Sequence, residues 1–182
     1  MRRGYGVRMK RRLRIFALAA VCAGVVVLSG CAPGEEPTPT PTAAFASDEE
    51  AFAAAEETYR AYVDALNQVD LSDPDTFEPV YALTIGEVNS ALRKQFSQMH
   101  ADEWRVEGES IIKSISFGDR DAGEIEVDVC LDVSNVALWD SGGASQVQAD
   151  RPDIQPYRVT IAATASSAAP LVALISAGEK TC

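Results

Sequence analysis

The hydrophobic period changes once along this 182-residue chain, and that switch constrains the fold more than any other feature. From Ser47 to His100, apolar side chains recur every three or four residues; beyond Trp104 they alternate. A period near 3.6 lays one apolar stripe along a helix, whereas a period of 2 sends successive side chains to opposite faces of a strand. Helices gathered ahead of strands predict an α+β domain, with N-terminal helices packed on a curved antiparallel sheet of about four strands.

The helical half carries its own start signals. Ser47-Asp48-Glu49-Glu50 has capping-box spacing, with a Ser hydroxyl to accept from the third helical N–H and a Glu to reach back. Phe52, Ala55, Tyr59, Tyr62, Val63, Leu66 and Val69 then recur at helical spacing, which predicts a helix of about twenty residues. Ser72-Asp73-Pro74 opens a short helical piece with Phe77, Val80 and Tyr81 on its apolar side, since Pro suits a first turn. Thr84-Ile85-Gly86-Glu87 repeats the capping-box spacing and begins a third helix, which fades near His100.

The strand half begins with Ile111, Lys113, Ile115 and Phe117 alternating with Ser110, Ile112, Ser114 and Ser116. Gly118 to Gly123 supply turn chemistry. In the next strand Ile125, Val127, Val129, Leu131 and Val133 take one face, and Glu124, Glu126, Asp128, Cys130 and Asp132 the other. That pattern predicts a core face and a wet face. Two more strands are expected at Tyr157–Ala165 and Leu171–Ala177, separated by a turn near Ser166–Pro170.

Ahead of this domain the composition is different. Residues 1–14 hold seven basic residues and no acid, and residues 15–30 are uncharged and mostly apolar. A basic start, an apolar stretch and small residues before a break make an export signal. Leu28-Ser29-Gly30-Cys31 resembles the lipobox of bacterial lipoproteins. The resemblance implies a diacylglyceryl group on Cys31, removal of residues 1–30, and location on the extracytoplasmic face of the cell membrane. The alternative is an uncleaved anchor, for which sixteen residues are short of the ~20 that a span needs. Met9 could also serve as the start, and Arg11-Arg12 leaves twin-arginine export open. Residues 31–45 comprise the lipidated Cys and a Pro/Thr-rich tether able to hold the 46–182 domain roughly 40 Å from the lipid; the Thr-Pro repeat also leaves glycosylation open.

Four cysteines reduce to one pair on this reading. Cys22 leaves with the signal and Cys31 takes lipid, so Cys130 and Cys182 remain, and export favours their pairing over free thiols or metal ligation. The formal charge of −11 conceals a more acidic mature chain. Removing seven of 16 bases and none of 27 acids leaves 9 − 27 = −18. Such a surface repels phosphate backbones, so nucleic acid is not an expected partner.

The helices-then-strands order resembles the cone-shaped folds of the nuclear-transport-factor-2-like and cystatin-like class. Val129 to Ser134, Arg151-Pro152-Asp153, Pro156 to Thr160 and the terminal Cys182 look like a group of small actinobacterial lipoproteins of uncharacterised function. That likeness implies a fold and a cell envelope, with no catalytic residues to transfer and no cofactor.

The remaining chemistry is sparse. No dinucleotide loop, Walker A or paired C-x-x-C occurs. Ser110-Ile111-Ile112-Lys113 has S-x-x-K spacing, but on a strand residues three apart face opposite sides. Asp119, Asp121 and Glu124 have oxygen ligands at short spacing without the distal Glu of a calcium loop. Glu124, Glu126, Asp128 and Asp132 read as a solvated carboxylate row. His100, the single imidazole, stands where a helix ends and is expected to meet its terminal carbonyls. Tyr59, Tyr81, His100 and Trp104 are the candidate pocket residues, set against a role as core filling. The expected function is a non-enzymatic binding or scaffolding module with an envelope protein or small ligand as partner. The alternative is a pocketed cone with ligand-binding or lyase or isomerase-like activity.

Overall fold

The computed structural model describes residues 45–182 apart from 122, 166 and 168, so the export signal, Cys31 and the tether as far as residue 44 lie outside the described residues. Helix α1 spans Asp48–Leu66. Ser47 Oγ accepts the Glu50 N–H at 3.2 Å, while the Glu50 carboxylate reaches past Ser47 to the Ala46 N–H at 2.9 Å. One free N–H of the first turn and one just ahead of the helix are thereby satisfied. A 3₁₀ turn at Pro74–Phe77, capped by Asp73, runs into α2 at Glu78–Ala82.

Helix α3, Gly86–Ala101, forms where the third start signal placed it but not by that signal's mechanism. Ile85 occupies the cap without a side-chain bond. The Thr84 hydroxyl instead donates back to the carbonyls of Val80 and Tyr81 and accepts from Asn89 Nδ2 at 2.9 Å. Thr84 is buried because its segment closes a sheet edge: Val172 donates to Leu83 O and accepts from Ile85, both at 2.9 Å. An otherwise open edge strand is thereby covered.

The main sheet has antiparallel order β2-β3-β5-β6, from Ile111–Asp121, Glu124–Asp132, Ile154–Ala162 and Leu171–Ala177. Together with α1 to α3 this gives the helix-on-bent-sheet α+β arrangement that the period switch predicted. Bulges bend the sheet between Ile112 and Ser114, between Phe117 and Asp119, and near Thr160. The first bulge also shifts the pleat: Ile112, Ile115 and Phe117 pack on the core, and Ile111, expected with them, is exposed. The hairpin is tighter than its composition suggests, since pairing runs to Asp121 opposite Glu124 and Gly118 lies within β2. β5 starts three residues before Tyr157, because Ile154, Gln155 and Pro156 pair with Asp132, Leu131 and Cys130.

A second, two-stranded sheet joins β1, Arg105–Glu107, to β4, Ala137–Trp139, two segments for which the sequence pattern gave no strand. Three residues are too few for alternation to be visible. The core lies between α1, α2 and the inner face of the main sheet, where Tyr59, Val80, Ile125, Val127, Val159 and Ile161 are fully buried. Phe77, Tyr81 and Phe96 join the helices through ring centroids 5.2 to 6.3 Å apart.

Candidate functional site

The supposedly wet face of β3 is not uniformly wet. Asp128 is only 6 % exposed, with Arg158 Nη2 at 3.1 Å from Oδ1 and Lys180 Nζ at 2.5 Å from Oδ2. The Lys180 contact is an ion pair from an exposed lysine to a buried carboxylate. Lys180 holds the Asp128 carboxyl below the usual carboxylate value, against desolvation and with Arg158 assisting. One step along β3, Cys130 is disulfide-bonded to Cys182 with Cα atoms 5.7 Å apart, the pairing expected from the cysteine arithmetic. Residues 178–182 therefore form a strap over the outer face of the sheet. The strap starts at Gly178, whose added Cβ would lie 3.0 Å from the Pro156 and Tyr157 backbone.

A cleft of about 710 Å³ opens between the end of α1, the second half of α3, the β1–β4 sheet and the 146–155 segment. Its floor includes Leu66, Val69, Met99, Val106, Val136 and Leu138, all half-buried against the core. Three local devices frame it. Asn67 imitates a strand, donating from Nδ2 to Ser110 O and accepting the Ser110 N–H at Oδ1, both at 2.9 Å. Gly108, at φ +80°, lets the chain cross the next turn, since a Cβ there would fall 1.9 Å from Asn135 O. Arg151 Nη2 donates to Val133 O at 2.6 Å and Val136 O at 2.9 Å, which fixes the turn entering β4.

The rim is rich in primary amides: Asn67, Gln95, Gln146, Gln148 and Gln155 all border the cleft. Gln155 Oε1 accepts the Tyr157 hydroxyl. Glu107, Glu109 and Arg151 are the charged groups of the lining. Glu107 meets Arg105 Nη1 and Trp139 Nε1, each at 3.3 Å. Ser110 lines the cleft too, but among the described residues no His or carboxylate contacts its hydroxyl. Nor does any cluster of three or more His, Cys, Asp or Glu among them form a metal cage. The arrangement can hold an apolar body and hydrogen-bond its polar part.

None of the four candidate pocket residues lines this cleft. Tyr59 is core, and burial of this ring and of Tyr62 pushes the Tyr62 hydroxyl up to about 12 and Tyr59 higher still. Tyr81 and His100 border a shallow depression with Arg93, whose guanidinium lies 4.0 Å over the Tyr81 ring. His100 does not cap α3; its Nδ1–H donates to Leu71 O at 2.7 Å, tying the helix to the segment before the 3₁₀ turn. Trp104 borders a separate dimple on α3. Lys113 sits on β2 at 4.0 Å from Asp132, and Ser110 lies just before that strand. The signal that sequence reading passed over was Glu107-Gly108-Glu109 with Gln146-Val147-Gln148. Such a Gly between acids marks a close backbone crossing, and the paired amides mark a polar border.

No family model matches this chain, and no curated protein does. Among solved structures it is similar to the intermembrane-space region of chloroplast protein ARC6, at 12% identity and TM-score 0.48 over 69% of this chain and 95% of that one. A protein from Novosphingobium aromaticivorans named as an aromatic ring hydroxylase is similar at 10% identity and TM-score 0.49, over 72% and 95%. CagV of Helicobacter pylori, a VirB8 homologue, is similar at 12% identity and TM-score 0.42, over 71% and 99%. At these identities and scores nothing of those proteins' activities carries over to this chain.

Proposed function

We propose that this protein is a lipid-anchored binding module of the cell envelope, held at the extracytoplasmic face of the membrane through Cys31, whose cleft binds a ligand without covalent chemistry. The observation that carries the reading is the lining of the 710 Å³ cleft, apolar on its floor and amide-rich at its rim, with no nucleophile coupled to a base. A volume of that size suits one drug-sized ligand, and such a lining binds by burial and hydrogen bonding. The Cys130–Cys182 disulfide and the lipobox-like Leu28-Ser29-Gly30-Cys31 support an exported, anchored location. Among the described residues no helix is long and apolar enough to cross a membrane.

Two experiments test it. Cys31→Ala should abolish labelling by a radiolabelled fatty acid and leave residues 1–30 attached, read by intact mass. Labelling that persists in the variant overturns the lipid anchor. Native protein extracted from membranes and analysed by mass spectrometry should release a small molecule that Gln148→Trp, which fills the cleft mouth, no longer retains. Equal recovery from both proteins would remove the cleft from the reading.

A further inference from the structure

The cleft also carries information about which ligand it takes, and the inference rests on the reading just given. We propose that its ligand is an elongated amphiphile with an apolar body and a cationic end. The floor supplies half-buried Val69, Met99, Val106 and Leu138, a surface that gains from covering by hydrocarbon. The polar end is selected by charge.

Of the nine bases among residues 45–182, Arg151 alone lines the cleft among the described residues. Its Nη2 is committed to the Val133 and Val136 carbonyls, which turns that edge of the guanidinium toward the turn, and its single charge faces two carboxylates in the same lining. A carboxylate- or phosphate-headed amphiphile would find no second cation there. Glu107 and Glu109 flank Gly108 in the same lining and are exposed. Glu107 shares its charge with exposed Arg105, a pairing that solvent weakens. Glu109 has no hydrogen-bond or ion-pair partner among the described residues, and the same holds for the side chains of Gln95 and Gln148. The described domain as a whole is acidic, with 25 acids against 9 bases in residues 45–182, a net of 9 − 25 = −16. The field at the mouth opposes an anion and favours a cation.

The test compares three probes of one chain length, each below its micelle concentration: an alkyltrimethylammonium, an alkyl glucoside and a fatty acid. Binding to the purified full chain is measured by calorimetry at low salt. The alkyltrimethylammonium should bind about thirtyfold tighter than the fatty acid, as expected when unit charges near 4 Å in water change from attraction to repulsion. Raising the salt should shrink that ratio, and Glu107→Gln with Glu109→Gln should bring it to about threefold or less. Gln148→Trp, and separately Gln95→Trp on the opposite wall, should weaken all three probes without changing the melting temperature. Tighter binding of the fatty acid, or an unchanged ratio in the double Gln variant, overturns the proposal. If the fatty acid wins and the Trp variants still block it, the cleft remains a binding site and only its charge selection fails. Indifference of every probe to both Trp variants removes the cleft itself.

Discussion

The strap at the chain's end offers the sharpest quantitative test. Replacing both cysteines, Cys130→Ser with Cys182→Ser, removes the crosslink without leaving an odd thiol. The bond spans 52 residues, and in the chain-entropy model closing such a loop in the unfolded chain contributes about 4 kcal/mol. Unfolding entropy near 2.1 cal/mol/K per residue over the roughly 138 residues from 45 to 182 comes to about 0.29 kcal/mol/K, so the variant should melt about 14 °C lower. The disulfide also presents Lys180 to Asp128, which makes two perturbations that should couple. In the oxidised protein Lys180→Met leaves the buried carboxylate with Arg158 alone and should cost about 1 kcal/mol, because Lys180 itself is solvent-exposed. In the Ser variant the strap is already released, and the same substitution should cost less than half as much. Circular-dichroism melts and urea titrations of the four proteins measure the cycle. A loss of under about 3 °C in the double Ser variant would refute the loop-closure reasoning. Equal costs of Lys180→Met in both backgrounds would show that the strap is held by its own contacts.

Other outcomes follow from the same geometry. Gly108→Ala places a Cβ 1.9 Å from Asn135 O at a left-handed backbone, and should cost about 3 kcal/mol or prevent folding, read by urea denaturation. Asn67→Ala removes both bonds to the Ser110 backbone and should cost about 2 kcal/mol, with faster amide exchange at Ser110 as the local signature. Burial raises the Tyr59 and Tyr62 hydroxyls, so their contribution is complete below the ordinary tyrosine value of 10.0 and is lost as pH rises toward 12 and beyond. Phenolate absorbance should therefore show these two ionising only with alkaline unfolding, and their titration in the folded protein near pH 10 would contradict the packing. Asp128 is depressed, so its stabilisation is present above the unfolded carboxylate value of about 4 and is lost as pH falls below it. Asp128→Asn should flatten the acid limb of the stability curve.

Sequence alone determined the class of fold, because the hydrophobic period is a property of single elements: α1, β3 and β6 are recoverable from spacing within each. The Cys130–Cys182 pairing was legible too, as the pair left once the export reading set Cys22 and Cys31 aside. What it could not carry were features set by contact between distant segments. Ile111 is exposed because a bulge against β3 shifts the pleat. Thr84 is no helix cap because β6 needs an edge partner. Asp128 looks like one of four solvated carboxylates until the disulfide brings Lys180 across it. The cleft is the clearest case. Its walls come from segments near residues 67, 96, 108, 136 and 151, each ordinary in its own neighbourhood. Alternation and capping are written along the chain, but a cavity belongs to the space between elements, and only tertiary packing creates that space.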